Sequence, residues 1–131
     1  MAEFRYVYYA DAYDDSVAFY RDVLRAEQVD GWDGGPDNRG AIFAVGGGFI
    51  EVIALPPADW LGELGKPRDS LRGVADAGWL LIEVEDVDVF HSQVRESGGD
   101  VIEAPRDLSW GHRDFGVREP GGLTLYFFSR V

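Results

Sequence analysis

Four residues at matching positions of two strand-like segments are the first candidates for chemistry. Phe4 and Trp79 each open a segment of alternating side chains that ends in an acidic residue, and the offset between them is 79 − 4 = 75. Glu51 and Tyr126 lie in two further segments with the same offset, 126 − 51 = 75. One offset linking two strand pairs indicates an internal duplication. Aromatic rings can stack on a flat molecule, and a phenol and a carboxylate can orient it by hydrogen bonds.

The elements that position these residues form the order βαβββ twice. Apolar side chains recur at helical spacing in two segments, and an aspartate precedes each helix as a candidate N-cap: Asp14 or Asp15 for the first, Asp86 for the second. Ser97-Gly98-Gly99 ends the second helix. The predicted strands are 4–10, 27–32, 41–45 and 49–55 around a helix at 16–25, then 79–85, 100–104, 112–118 and 123–128 around a helix that follows Asp86.

Alternation along each strand predicts which side chains share a face. One face, here called the cup face, holds the four matched positions and is aromatic. It is predicted to hold Phe4, Tyr6, Tyr8, Phe49, Glu51, Ile53, Trp79, Leu81, Glu83, Thr124, Tyr126 and Phe128. The opposite face, here called the core face, is predicted to pack against the helices with Val7, Tyr9, Leu80, Ile82, Val84, Leu125 and Phe127. A second apolar face needs a ligand or a partner chain to cover it, unless its own side chains fill it.

Composition restricts the partners. The net charge of −12, from 24 acidic and 12 basic residues, disfavours nucleic acid and anionic membrane surfaces and favours cationic ligands. The chain contains no cysteine, which excludes disulfides and cysteine-type zinc sites. It shows neither a signal-peptide pattern nor an apolar run of transmembrane length, so a cytoplasmic location is expected.

Several motifs, taken in order, resemble the vicinal oxygen chelate superfamily, which includes glyoxalase I, fosfomycin-resistance enzymes, extradiol dioxygenases and bleomycin-resistance proteins. The resemblance implies an α+β fold of two tandem βαβββ modules that form a cup-shaped mixed sheet with the helices on its outer face. It covers nearly the whole chain except 56–77. The matching segments are Phe19-Tyr20-Arg21-Asp22-Val23-Leu24, Glu83-Val84-Glu85-Asp86-Val87-Asp88, Trp110-Gly111-His112-Arg113-Asp114-Phe115 and Arg118-Glu119-Pro120-Gly121-Gly122.

The resemblance also assigns metal ligands, typically two histidines and two carboxylates, to four positions that align here with Phe4, Glu51, Trp79 and Tyr126. A catalytic divalent metal needs several converging nitrogen or oxygen ligands. Only Glu51 among the four is a good ligand, and one carboxylate cannot hold such a metal, so neither a metal nor another cofactor is expected. The chain is closest in kind to the metal-free, dimeric bleomycin-resistance members, which sequester a drug.

The leading hypothesis is therefore a metal-free binding protein that sequesters an aromatic or cationic natural product and provides antibiotic resistance. One alternative is a metal-independent enzyme that uses Glu51 or His112 as acid or base on a polyketide-like substrate. Another is a metalloenzyme with relocated ligands. The residues predicted to line the ligand site are Phe4, Tyr6, Tyr8, Trp32, Phe49, Glu51, Trp79, Leu81, Trp110, His112, Tyr126 and Phe128.

The domain organisation expected from the repeat is a single domain over residues 1–131. Module one covers 1–55 and module two covers 78–131, with a connector at 56–77 that crosses the sheet or covers the site. The family resemblance implies a homodimer.

Overall fold

The computed structural model describes residues 2–56 and 78–131 and contains two four-stranded mixed sheets. The strand orders are β1-β4-β3-β2 and β5-β8-β7-β6; β1 runs parallel to β4 and β5 parallel to β8, and the other neighbours are antiparallel. The elements of module one are β1 Arg5–Ala10, α1 Tyr13–Ala18 with a π-helical continuation Phe19–Val23, β2 Glu27–Asp33, β3 Arg39–Val45 and β4 Gly48–Ala54. Those of module two are β5 Leu80–Glu83, α2 Val87–Glu96, β6 Asp100–Asp107, β7 His112–Arg118 and β8 Thr124–Arg130.

This architecture confirms the predicted tandem βαβββ fold. The predicted connector 56–77 lies, apart from Pro56, outside the described residues. None of the helices in the described part of the chain is long and apolar enough to cross a membrane.

Both modules contribute to one hydrophobic core between the helices and the sheets. Side chains of α1, its π-helical continuation and α2 pack against the core faces, because the elements bury their apolar stripes against one another. The buried members are Ala10, Phe19, Tyr20, Leu24, Ala41, Phe43, Ile50, Val52, Val87, Val94, Phe115, Val117, Leu123, Leu125 and Phe127.

The first helix begins earlier than predicted. It starts at Tyr13, so Asp14 and Asp15 lie in its first turn, where their charge suits the helix dipole, and Ala12 occupies the N-cap position without a side-chain hydrogen bond. The helix ends in a π turn in which the Leu24 N–H donates to the Phe19 carbonyl at 3.0 Å. The predicted cap of the second helix is confirmed: the Asp86 carboxylate accepts from the N–H groups of Asp88 and Val89.

Strand β6 is longer than the predicted segment 100–104. Pro105 had marked the start of a loop, but β6 is an edge strand with irregular register between Val101 and Arg106, and both features tolerate proline. The extension pairs Arg106 with Asp114 of β7. It therefore brings a cation to the cup face of module two.

The predicted faces are correct for module two and wrong for β1. Leu80 pairs with Leu125 and Ile82 with Phe127 on the core side, as expected. In β1, Val7 pairs with Glu51 and Tyr9 with Ile53, which places both on the cup face. Tyr6 and Tyr8 instead pack against the core.

The error comes from a one-residue difference between the two repeats. Tyr6 pairs with Ile50 as Leu80 pairs with Leu125, so β1 and β5 are offset by 80 − 6 = 74, whereas β4 and β8 are offset by 125 − 50 = 75. Because side chains alternate with a period of two, a slip of one residue exchanges the two faces. The residue that matches Trp79 is therefore Arg5, and not Phe4.

Candidate functional site

The main candidate site is a crevice of about 240 Å³ on the cup face of module two, here called the module-two crevice. It lies between β5, β6, the β6–β7 loop, β7 and β8. Its lining residues are Trp79, Leu81, Arg106, Leu108, Trp110, His112, Asp114 and Tyr126. Five of these were predicted from the sequence: Trp79, Leu81, Trp110, His112 and Tyr126.

The aromatic walls of the crevice depend on a small residue in β7. Gly116 pairs with Tyr126, and a Cβ atom at Gly116 would lie 2.8 Å from the Tyr126 ring. The absence of that atom lets the Tyr126 ring lie across β7. Trp79 packs edge-on against this ring at 6.3 Å between centroids. Trp79 and Trp110 are nevertheless 64% and 66% exposed, so the walls face solvent.

His112 forms another side of the crevice and rests on an aromatic base. Its ring stacks on Phe128 at 4.2 Å between centroids with an interplanar angle of 17°. Phe128 is buried and supports His112 from beneath, while the Arg130 guanidinium lies 5.5 Å from the Phe128 centroid.

An ion pair forms the polar part of the crevice. Arg106 Nε donates to Asp114 Oδ1 at 3.0 Å, and Arg106 Nη1 lies 3.1 Å from Glu103 Oε1. Asp114 is only 5% exposed, whereas the Arg106 side chain is 46% exposed. The hydrogen bond that Arg106 donates to Asp114 raises the pKa of Arg106, so its guanidinium remains charged.

The corresponding corner of module one also holds an ion pair. Arg5 Nη1 donates to Glu51 Oε1 at 2.6 Å, and Arg5 also pairs with Glu3 at 2.9 Å. The contact with Glu51 raises the pKa of Arg5. The Glu51 carboxylate therefore accepts a hydrogen bond from a guanidinium.

The four positions that the family resemblance assigns to metal ligands do not fit a divalent cation. After the register correction they are Arg5, Glu51, Trp79 and Tyr126. Arg5 is itself a cation on Glu51, Trp79 offers no lone pair, and the Tyr126 phenol would have to ionise. Among the described residues, no group of three or more histidine, cysteine, aspartate or glutamate side chains is arranged to hold a metal.

A second cavity, of about 370 Å³, lies between β1 and β5, and we call it the inter-module gap. Phe4, Tyr6 and Phe49 line it, so these three predicted site residues lie outside the module-two crevice. Trp79 and Leu81 line both cavities.

The remaining predicted residues lie elsewhere. The Tyr8 hydroxyl contacts the Tyr20 hydroxyl at 2.8 Å beside the core. Trp32 lies across Gly40 in module one and donates from Nε1 to Asn38 at 3.2 Å. The structure therefore divides the predicted site among the module-two crevice, the inter-module gap and module one.

Sequence reasoning missed Arg5, Arg106, Leu108 and Asp114. A strand continued through Pro105 would have placed Arg106 opposite Asp114, and alternation along β7 places Asp114 on the same face as His112. The opposite charges of Arg5 and Glu51 favour a position on the same face of the sheet. An offset of 74 between the first strands of the two modules places them there.

Comparisons with known proteins agree with this architecture. Residues 4–127 match the family model of the glyoxalase/bleomycin resistance protein/dioxygenase superfamily. No match was found among curated proteins.

Several solved structures share the fold at low sequence identity. TioX from Micromonospora sp. ML1 is 20% identical, with 100% of both chains covered and a TM-score of 0.74. UcmS2 is 14% identical, with 98% of this chain and 97% of UcmS2 covered and a TM-score of 0.74. A lactoylglutathione lyase from Agrobacterium tumefaciens is 21% identical, with 98% and 92% covered and a TM-score of 0.68. The structural matches show the fold, and the family model shows the family: the chain belongs to the glyoxalase/bleomycin resistance protein/dioxygenase superfamily.

Proposed function

We propose that the protein binds a flat aromatic small molecule in the module-two crevice and sequesters it without a metal, as bleomycin-resistance-like proteins do. The biological role that we propose is resistance to an antibiotic. The observation that carries the proposal is the pair of exposed indoles, Trp79 and Trp110, on the walls of a crevice with a polar floor. Exposed aromatic side chains around a concave site mark a binding surface.

The size of the crevice sets what it holds. A volume of about 240 Å³ is below the roughly 300–1,000 Å³ of drug-sized pockets, so the crevice suits one flat ring system. A longer ligand would continue past Trp79 into the inter-module gap, because Trp79 and Leu81 line both cavities.

We also propose that the protein forms a homodimer, since proteins of this fold often form dimers. Sedimentation velocity measures the oligomeric state directly.

Binding of planar compounds tests the proposal. Quenching of the fluorescence of the four tryptophans by a panel of planar tricyclic compounds and antibiotics is expected to reveal Kd values below about 100 μM for at least one compound. Calorimetry should then show that Trp110→Ala weakens binding about tenfold, since it removes a stacking wall.

Trp32→Ala is the matched control, because this exposed tryptophan packs over Gly40 in module one. Its Kd is expected to stay within about threefold of the wild-type value. Absence of binding across the panel, or equal losses in both variants, would argue against the crevice as the ligand site.

A metal-independent enzyme is the second candidate, favoured by the position of His112 in the crevice. His112 is the better-placed acid or base, since Glu51 is held by Arg5. Turnover of a bound polyketide-like compound that is lost in His112→Gln, with binding retained, would favour the enzyme. Unchanged compound after prolonged incubation with excess protein would favour sequestration.

A further inference from the structure

We propose that the module-two crevice selects flat ligands with a positive charge, and that the charged group replaces the Arg106 guanidinium beside Asp114. This inference rests on the proposed function, because it concerns the same crevice. Arg106 then competes with the charged group of the ligand for Asp114 and so determines which ligands bind.

The first step of the argument is the buried carboxylate. Asp114 is 5% exposed at the floor of the crevice, and Arg106 neutralises it at 3.0 Å. A buried carboxylate without a cation is costly. Any ligand that displaces Arg106 must therefore supply a positive charge or a strong hydrogen-bond donor.

The second step is the aromatic surroundings of that cation. The Arg106 guanidinium carbon lies 6.0 Å from the centroid of the Tyr126 ring, and Trp79 and Trp110 line the same crevice. Aromatic faces attract cations, and tryptophan does so most strongly. Arg106 thus shows where the positive group of a ligand would lie: between a carboxylate and aromatic rings.

The third step is the ease of displacement. The Arg106 side chain is 46% exposed and also contacts Glu103, whose side chain is 38% exposed. When a ligand takes Asp114, Arg106 keeps Glu103 as a partner in solvent. The Arg106 side chain thus returns to solvent at little cost, and the charge of the ligand takes its place beside the buried Asp114. The net charge of −12 adds long-range attraction for a cation.

A pair of three-ring probes of similar size separates charge from shape: N-methylacridinium, a permanent cation, and acridone, which is neutral. We expect Arg106→Met to bind N-methylacridinium about tenfold more tightly than the wild type, and Asp114→Asn about tenfold more weakly. Acridone carries no charge, so its Kd is not expected to move in opposite directions in the two variants, as the Kd of the cation does.

Arg113→Met is the matched control. It removes the same charge from β7, but Arg113 pairs with Asp88 and Asp107 and not with Asp114. Its Kd for N-methylacridinium is expected to stay within about threefold of the wild-type value. This variant therefore controls for the change in net charge.

A thermal measurement covers the case in which Asp114→Asn folds poorly. Arg106→Met leaves Asp114 unpaired, so saturating N-methylacridinium should raise its Tm by more than it raises the wild-type Tm. Unchanged or weaker cation binding by Arg106→Met, or equal responses to the two probes, would overturn the inference.

The two proposals fail in different ways. If acridone binds the wild type below about 100 μM and Arg106→Met gains nothing for the cation, the inference fails and the crevice remains a ligand site. If neither probe binds any variant, both the inference and the proposed crevice fail.

Discussion

Replacing Glu119 with alanine is expected to lower the free energy of unfolding by about 3 kcal/mol. Glu119 lies in the β7–β8 connection and is fully buried. Its Oε1 accepts from the Ser16 hydroxyl and, at 2.9 Å, from the Gly121 N–H. Alanine would leave both donors without this acceptor and create a cavity, and both effects destabilise the folded state.

The expected effect is large because Glu119 joins the two modules. Ser16 belongs to α1, so its hydrogen bond to Glu119 joins the first helix of module one to the β7–β8 connection. In β1, the Tyr8 hydroxyl contacts that of Tyr20 at 2.8 Å. Burial raises the pKa of both tyrosines, so both keep their protons as hydrogen-bond donors. The Ser16–Glu119 hydrogen bond thus links the last turn of module two to the first helix of module one.

Urea denaturation followed by circular dichroism measures the loss. Glu119→Gln is the matched control: it retains an oxygen acceptor and nearly the same volume, and a loss of about 1 kcal/mol is expected. Since Oε2 of Glu119 has no hydrogen-bond partner among the residues that the structure describes, its replacement by an amide removes none of the described bonds. A loss below about 1 kcal/mol in Glu119→Ala would show that the link between modules contributes little.

Phe115→Ala is expected to lower the free energy of unfolding by about 4 kcal/mol. Phe115 is fully buried in β7, stacks on Phe127 at 5.5 Å and contacts Phe90 of α2 at 6.1 Å. Removal of the ring leaves a cavity between the sheet and α2, because the aromatic neighbours relax only partly.

The same substitution tests whether the core supports the crevice. Phe115 separates Asp114 and Gly116, which form the floor and the seat of the Tyr126 ring. We expect weaker binding of the planar probes at temperatures where the variant is still folded. Val89→Ala, on the exposed side of α2, should change stability by less than about 0.5 kcal/mol. Equal losses in the two variants would contradict the assigned core.

The sequence predicted the two faces of the module-two sheet correctly, because its strands obey simple alternation. Leu80 and Ile82 are apolar and enter the core, so Trp79 and Leu81 must face the other side. The Gly116–Tyr126 pair and the stacking of His112 on Phe128 depend on the register between strands. Hydrophobic pattern alone does not determine such contacts.

The faces of β1 in module one were predicted wrongly because both of them carry large side chains. Tyr6, Val7, Tyr8 and Tyr9 can each line a core or a cup, so the pattern did not decide between offsets of 74 and 75. The parallel pairing of β1 with β4 decides it, since Arg5 then meets Glu51. Phe4, Tyr6 and Tyr8 consequently lie outside the module-two crevice.

The sequence by itself determined the duplicated βαβββ order and the core face of module two. These properties follow from residue type and from periodicities within single elements. The tertiary structure decided which residues meet: the Arg5–Glu51 pair, the continuation of β6 past Pro105 and the Arg106–Asp114 pair beneath the aromatic walls. These contacts depend on register and bulges between distant strands, which no local pattern encodes.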